Sequence, residues 1–384
     1  MTIISLGKIN RKIFIPLFGG LLRIAYKFCM NLSSKTELLY NNPFLMSIYT
    51  AIGMALSFIP YLILISQIKK RSINNSNISP TKTKKTKLAL KLQHYDIYKE
   101  TKWKRIKLIL LATLFDCLQV LCGYIYCWNC VYNLWIFDII FINLFSNLIL
   151  KTRIYKHQYF SMIIIIIFGL GLNIIEYFKK NEEDENKVKL IEIIAKFISE
   201  IFYCINVVIN KLNMEKYFCN TYEICIWEGL IDLIIIITTL SIVNKIGVTI
   251  AGIYHPDNLI EYLKQFNMED AFLALLSIVI NGVYNILIIA TCDFFTPCHV
   301  LIILIINECY EYFKFKENLI LNLLGLLILI LIFFMFLFFV EILEFNVCEF
   351  SINTKKNIEI RSDSDASTRI INYNSHEDEE SSFE

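Results

Sequence analysis

Charged residues are scarce in this chain, at 19% of its 384 residues, and the groups that usually carry enzyme chemistry are scarcer still. There are only five histidines, and none stands in the HxxxD or HExxH spacing of a catalytic or zinc-binding pair. The 12 glycines form no phosphate-binding loop. These absences argue against a membrane-embedded transferase, a metallohydrolase and an ATP-driven pump, so we expect no enzyme activity, no cofactor and no metal site.

Long apolar runs are abundant. Residues 319–340 contain a single polar side chain, Asn322. As a helix this run spans about 33 Å, close to the thickness of the hydrocarbon core of a bilayer. Similar runs predict about ten helices, near residues 13–30, 43–68, 108–126, 131–150, 158–178, 190–210, 222–243, 271–291, 297–313 and 319–341. The first is weak, and the sequence leaves open whether it spans the membrane or lies on its surface.

The distribution of lysine and arginine predicts the orientation. Segment 69–107 is strongly basic and holds only two acids, Asp96 and Glu100, so we expect it to be cytosolic and disordered. Ten helices place both termini in the cytosol, whereas nine place the N-terminus outside. A solvated loop explains these basic residues, and we expect no nucleic-acid partner.

The chain divides into two similar halves. In each, a short basic hinge (151–157 and 314–317) leads into an apolar helix that contains glycine (Gly169 and Gly171, and Gly325). The predicted organisation is 1–42, the cytosolic N-terminus with the weak first helix; 43–178, the first transmembrane repeat; 179–189, an acidic linker; 190–345, the second repeat; and 346–384, an acidic, serine-rich cytosolic tail. Five helices per half would insert the second repeat upside down, as in many secondary transporters.

Several stretches across residues 40–350 resemble the drug/metabolite transporter superfamily, which includes EamA-like and nucleotide-sugar transporter-like solute carriers. They are Asn42-Pro-Phe-Leu, Ala112-Thr-Leu-Phe-Asp, 148–171, Tyr222-Glu-Ile-Cys-Ile-Trp-Glu-Gly, Phe295-Thr-Pro-Cys-His and the stretch from Glu317 to Gly325. The resemblance implies an all-α integral membrane fold of about ten helices in two inverted five-helix repeats, transport by alternating access and an endomembrane location such as Golgi, ER or vacuole. The first helix departs from the pattern by being short and charged, and no substrate signature of the family is present.

Polar residues form stripes at helical spacing on several predicted helices. Stripes on five helices favour a hydrated central pathway, although such residues also form hydrogen bonds between membrane helices without lining a path. The candidates for a substrate pathway are Asp116, Gln119, Asn143, Asn147, Tyr203, Asn206, Asn210, Glu228, Asp232, Asn281 and Asn285.

The acidic residues are the most specific of these candidates. An ionisable group at mid-bilayer costs about 2.5–3.5 kcal/mol, so it normally faces protein or water. Glu228 and Asp232 are one helical turn apart and repel each other when both are ionised, so a proton or a cation is expected between them. We hypothesise that they couple proton or cation movement to transport, with Asp116 as the partner in the other half. Alternatively, Glu228 is an interfacial acid near a helix start. Asp138 and Glu200 are secondary candidates.

The sequence predicts a secondary transporter for a small polar metabolite, acting in the lipid bilayer of an intracellular membrane. The alternative is a receptor-like or scaffold membrane protein without transport activity. An even number of membrane crossings favours the transporter, and an odd number favours the receptor. Whether the protein is a monomer or a homodimer is left open.

Overall fold

The computed structural model of the chain describes residues 4–6, 13–31, 43–66, 102–126, 134–152, 154–182, 190–217, 219–246, 268–312 and 319–345. The predicted tail 346–384 and most of the predicted loop 69–107 lie outside these residues.

Ten helices make up nearly all of the described part of the chain. They are α1 (Phe14–Asn31), α2 (Pro43–Ala55), α3 (Lys102–Tyr126), α4 (Asp138–Ile149), α5 (Lys156–Glu182), α6 (Leu190–Tyr217), α7 (Thr221–Ile246), α8 (Met268–Phe294), α9 (Val300–Tyr312) and α10 (Leu319–Phe339). A 3-10 turn precedes α4 at Leu134–Phe137 and α9 at Pro297–His299. Two short strands, β1 (Ile4–Leu6) and β2 (Leu343–Phe345), complete the described elements.

Seven of the described helical segments are long and apolar enough to cross a membrane: Leu45–Ser66, Lys102–Gly123, Lys156–Ile175, Ile193–Tyr217, Thr221–Ser241, Asp270–Phe294 and Ile320–Phe339. Leu134–Ile149 and Pro297–Cys309 are apolar but shorter. Large apolar side chains cover the outer faces, for example Ile167, Ile234 and Leu327. By helix length and composition, the chain is an all-α multi-pass membrane protein.

The helix predicted at 43–68 is broken. A turn at residues 56–57 separates α2 from a second helical stretch at 58–66. Pro60 lies one turn after Leu56 and has no backbone N–H, so it cannot donate to the Leu56 carbonyl in the way that helix continuation requires. The interruption lies within the candidate membrane span Leu45–Ser66.

The start of α3 corrects the predicted boundary of the basic loop. Residues 102–107, which were predicted to belong to the disordered loop, form the first turns of α3. Arg105 is buried, its Nη2 lies 3.6 Å from Glu223 Oε1 at the start of α7, and its backbone oxygen accepts a hydrogen bond from Asn213 at 3.5 Å. Burying a charge requires such a partner, so these contacts extend the helix into the basic segment. In the same way, residues 179–182 belong to α5 rather than to the linker 179–189.

The helices pack into one bundle. α3 packs along α6 and α7, α6 also contacts α4 and α8, α1 packs against α8 and α9, α2 lies between α7 and α8, and α5 packs along α10. The main apolar core lies among α4, α5, α6, α9 and α10. Its fully buried side chains include Ile139, Ile142, Ile165, Leu172, Val208, Ile302, Ile305, Leu329, Ile332 and Phe336.

Glycines allow α2 to approach its two neighbours at backbone contact. A Cβ atom placed on Gly53 of α2 would lie 2.8 Å from the backbone nitrogen of Gly282 in α8. One placed on Gly229 of α7 would lie 2.5 Å from the Ala51 backbone oxygen of α2. Close approach through small residues is the usual way in which helices associate inside membranes, where burial of apolar side chains gives little driving force.

The two ends of the described chain meet on one face of the bundle. β1 and β2 pair in antiparallel register, with Ser5 opposite Glu344. The side chain of Glu341, which follows α10, lies 3.2 Å from His157 Nε2 at the start of α5. Gln158 Nε2 donates to the Phe339 backbone oxygen at 3.3 Å. The segment before α1, the start of α5 and the end of α10 therefore lie at the same end of the bundle.

Candidate functional site

A group of polar side chains, all buried except the half-buried Asp116, lies where α3, α6 and α7 meet, and we call it the acidic cluster. It consists of Asp116 from α3, Asn206 and Asn210 from α6, and Glu228 and Asp232 from α7. The two residues from α6 are one helical turn apart, as are the two from α7, and α3 contributes a single residue that faces them. The helical period therefore places each pair on one face of its helix. These five residues are all among the predicted pathway residues, and the structure brings them together.

Within the acidic cluster, the Glu228 carboxylate accepts hydrogen bonds from two amide side chains. It is only 2% exposed, and its Oε1 accepts hydrogen bonds from Asn206 Nδ2 at 3.2 Å and from Asn210 Nδ2 at 2.8 Å. Asn206 Nδ2 also donates to the Ala112 backbone oxygen of α3 at 3.0 Å. These bonds join α3, α6 and α7. Glu228 is therefore buried inside the bundle, where it joins three helices, and its depth in the membrane stays a prediction.

Asp232 lies one turn further along α7 and is 3% exposed. Its Oδ1 accepts a hydrogen bond from Cys117 Sγ of α3 at 3.0 Å. The carboxyl group of Asp116 lies against that of Asp232 at hydrogen-bonding range, and Glu228 is close enough to interact with Asp116. Two carboxyl groups in contact require a proton or a cation between them, because two bare carboxylates repel and neither can accept from the other. A proton shared between these carboxyl groups would relieve the repulsion.

A second polar site centres on Arg23 of α1, and we call it the Arg23 site. Arg23 Nη1 donates to Asn281 Oδ1 of α8 at 2.5 Å. The guanidinium carbon lies 5.3 Å from the ring centre of Tyr26 and 5.1 Å from that of Tyr284, both within range of a cation–π interaction. The Tyr26 hydroxyl is in turn hydrogen-bonded to Ser277 Oγ at 2.8 Å. This site is cationic, in contrast to the acidic cluster.

A pair of carboxyl groups, Asp138 and Glu200, lies between α4 and α6. Asp138 is fully buried, and no described side chain or backbone group donates a hydrogen bond to either of its carboxyl oxygens. Glu200 lies close enough to interact with Asp138, and Lys196 on the same helix interacts with both. The Tyr203 hydroxyl is buried, has no hydrogen-bond partner among the described residues and interacts with both Asp138 and Tyr284. Tyr203 thus lies between this carboxyl pair and the Arg23 site.

The remaining predicted pathway residues are not drawn into these sites by side-chain hydrogen bonds. Asn143 and Asn285 donate to backbone oxygens of their own helices, at 2.5 Å from Ile139 and 2.9 Å from Asn281. Asn147 is exposed on the outside of α4. Gln119 is half-buried, and its backbone oxygen accepts from Ser199 at 3.5 Å. Asn281 belongs to the Arg23 site, and Tyr203 lies beside that site.

Arg23 was missed as a candidate, since the sequence reading treated its charge as a sign of a weak helix. A usable signal existed: Arg23 and Tyr26 are three residues apart and therefore share a face of α1. The sequence alone does not show what this face contacts, because its partners on α8 are more than 250 residues away in the chain.

Within the described residues, no three histidine, cysteine, aspartate or glutamate side chains converge on a point where they could hold a metal ion. No protein-family model matches the chain, and no curated protein matches it either. The functional argument therefore depends on the geometry of the bundle and of its two polar sites.

Proposed function

We propose that the protein is a secondary transporter that moves a small polar metabolite by alternating access, with a proton bound in the acidic cluster as the coupling ion. The observation that carries the proposal is that carboxyl groups in contact with one another, two of them buried and one half-buried, lie at the interface between the two halves of the chain. Asp116 belongs to the first half, and Glu228 and Asp232 belong to the second. A structural ion pair would place opposite charges there.

The pattern of helix contacts supports two five-helix repeats. The two halves can be compared by adding five to each helix number and counting on from α10 to α1. The contact of α1 with α8 then becomes that of α6 with α3. The contact of α1 with α9 becomes that of α6 with α4, and the contact of α2 with α8 becomes that of α7 with α3. α2 and α5 pack against their own counterparts, α7 and α10. The 3-10 turns before α4 and α9 also correspond.

Contacts between helix ends support an even number of membrane crossings. Pairing of β1 with β2 keeps both ends of the bundle on one side. The contact of Arg105 with Glu223 and Asn213 places the start of α3, the end of α6 and the start of α7 on one side, which requires the short helix α4 to cross. The contact of His157 with Glu341 likewise requires the short helix α9 to cross. If α1 crosses as well, as we propose, the seven long helices and these two short ones give ten crossings.

The acidic cluster offers a physical route to coupling. A proton held between Asp116 and Asp232 neutralises one carboxylate and allows α3 and α7 to stay in contact. Loss of that proton leaves two carboxylates that repel each other in a medium of low dielectric. Because α3 and α7 belong to different halves, the repulsion favours their separation. Binding and release of the proton thereby bias the bundle between two arrangements of its halves.

A receptor or scaffold without transport activity is the alternative, and the count of seven long apolar helices is the observation that favours it. The pairing of β1 with β2 argues against it, because seven crossings place the two ends on opposite sides. We also propose an endomembrane location with the basic loop 69–107 and the tail 346–384 in the cytosol, as the resemblance to the drug/metabolite transporter superfamily implies.

Uptake by purified protein in proteoliposomes tests the proposal. Labelled nucleotide sugars, sugar phosphates, amino acids and cationic drugs are offered with and without a pH gradient. We expect saturable uptake of one class that responds to the gradient. Asp116→Asn and Asp232→Asn should abolish the response to the gradient, because an amide cannot take up and release a proton in this pH range.

Glu215→Gln is the matched control, since Glu215 is a partly exposed acid on α6 whose visible partner is Lys211 one turn away. It should leave uptake and its pH dependence unchanged. Folded wild-type protein that takes up none of these solutes would count against a transporter. Gradient-driven uptake that survives in Asp116→Asn and Asp232→Asn would instead remove the acidic cluster from the coupling mechanism.

A further inference from the structure

The Arg23 guanidinium lacks a counter-charge in direct contact, although the Glu308 carboxylate of α9 is close enough to interact with Tyr284. Among the described residues, no carboxylate oxygen lies within 4 Å of the Arg23 guanidinium, whose visible partners are the neutral Asn281 side chain and the rings of Tyr26 and Tyr284. A cation inside an apolar bundle is costly unless a charge of opposite sign accompanies it. The acidic cluster does not supply that charge, since its carboxyl groups contact one another and residues of α3, α6 and α7.

One amide donor of the Arg23 site, Asn281 Nδ2, also has no hydrogen-bond acceptor among the described residues. A guanidinium can only donate, so the oxygen of the Asn281 side chain must face Arg23 and its Nδ2 must point away. Asn281 is 3% exposed, and its Nδ2 is buried without any acceptor among the described residues. A buried donor without an acceptor costs about 1–3 kcal/mol. A group that accepts hydrogen bonds and carries negative charge would satisfy both Arg23 and Asn281.

We propose that the transported solute carries an oxyanion, a carboxylate or a phosphate, that binds to Arg23 and Asn281 at the contact between α1 and α8. This rests on the proposed function, because it names the class of solute that the transporter moves. An oxyanion has at least two acceptor oxygens, so it can take hydrogen bonds from the guanidinium and from Asn281 Nδ2 together. Tyr26 and Tyr284 lie within cation–π range of the guanidinium and help to hold it in place.

A solute fits the position of the Arg23 site better than a lipid headgroup does. Arg23 lies nine residues from Phe14, the first residue of α1, which is about 13 Å along the helix axis. In the proposed arrangement of ten crossings this position is near the middle of α1, away from the headgroups, and Arg23 contacts Asn281 of α8. The headgroup of an anionic lipid shares the same chemistry and is distinguished in the experiment.

Binding is tested with the purified full-length protein in nanodiscs of neutral lipid, so that no transport is required. Thermal unfolding is followed during titration with succinate, glucose 6-phosphate and inorganic phosphate, against sodium chloride at equal ionic strength and against neutral glucose. We expect at least one oxyanion to raise the Tm in a saturable way. Arg23→Gln should raise its apparent Kd at least tenfold, and Arg23→Lys, which keeps the charge but not the planar fork, should weaken binding less.

Two further variants separate binding from folding. Lys27→Gln removes the other cation of α1, one turn away, and should leave the Kd unchanged. Asn281→Asp places a permanent carboxylate beside the guanidinium. It should abolish oxyanion binding while the protein remains at least as thermally stable as the wild type. This result would show that loss of binding does not come from misfolding.

The proposal is overturned if no oxyanion raises the Tm more than sodium chloride does, or if Arg23→Gln or Asn281→Asp binds as tightly as the wild type. It is also overturned if anionic lipid alone raises the Tm of the wild type but not of Arg23→Gln while the solutes have no effect, since a headgroup then occupies the site. Oxyanion binding without uptake would refute the transporter and keep the site. Uptake of neutral solutes that Arg23→Gln leaves intact would refute the site and keep the transporter.

Discussion

Adding one methyl group at two different glycines should change stability in opposite directions. At Gly53, the added Cβ would lie 2.8 Å from the Gly282 nitrogen and 3.0 Å from its Cα, and these are backbone atoms of a facing helix that cannot rotate away. At Gly171 of α5, the nearest atom to an added Cβ is Ile328 Cδ1 at 3.7 Å, an ordinary contact. Overpacking costs about 1–3 kcal/mol, whereas alanine in place of glycine inside a helix gains about 0.5–1 kcal/mol.

We therefore expect Gly53→Ala to lower the free energy of unfolding by about 1–2 kcal/mol and Gly171→Ala to raise it by about 0.5–1 kcal/mol. Thermal unfolding of both purified variants in the same detergent, with the wild type alongside, measures the two changes. Because the chemical change is identical, differences in helix propensity cancel. Equal shifts of the same sign would refute the reasoning, since α2 and α8 would then not approach at backbone contact.

Three other outcomes follow from the contacts described above. Glu228→Leu should cost about 1–3 kcal/mol more in thermal unfolding than Glu228→Gln, because only glutamine keeps an acceptor for the amides of Asn206 and Asn210, and equal losses would contradict this. Lys151→Gly should raise the free energy of unfolding by about 0.5 kcal/mol. Lys151 has a φ of 56°, and glycine relieves this left-handed conformation by more than it adds to the entropy of the unfolded chain. A lower Tm would count against this expectation. Protease-cleavable tags at the two chain ends should be cut from the same face of sealed vesicles, and cleavage from opposite faces would contradict the pairing of β1 with β2.

The features that the sequence predicts well are those with a short range along the chain. Apolar runs long enough to cross a bilayer can be recognised without knowing their neighbours, and the helical period alone puts Glu228 and Asp232 on one face of α7. The same period puts Asn206 and Asn210 on one face of α6. That these two faces meet depends on the packing of α3 against both α6 and α7, which the period of a single helix does not show.

The features that the sequence misses depend on contacts between distant segments. The first turns of α3 resemble a solvated loop until Glu223 and Asn213 are placed beside Arg105. The stripe of Asn143 and Asn147 shows that the two residues share a side of α4, but it does not show which side faces the bundle, and the structure places Asn147 outside. Periodicity defines a face of a helix, and only the packing of the bundle decides what that face meets.

The two polar sites occupy corresponding places in the two halves, and this correspondence bears on how the proposed transporter would work. The acidic cluster lies along the contact of α3 with α6, and the Arg23 site lies along the contact of α8 with α1, which is its counterpart five helices away. Binding of a proton removes one negative charge from the acidic cluster, and binding of a monoanion offsets the positive charge of the Arg23 site. Rearranging the halves exposes both contacts to a changed environment, and a bare charge at either contact makes that step costly in low dielectric. The proposed transporter would therefore rearrange most easily when both sites are filled, or when the proton and the anion have both left to water on the open side. This would link movement of the anion to movement of the proton in the same direction.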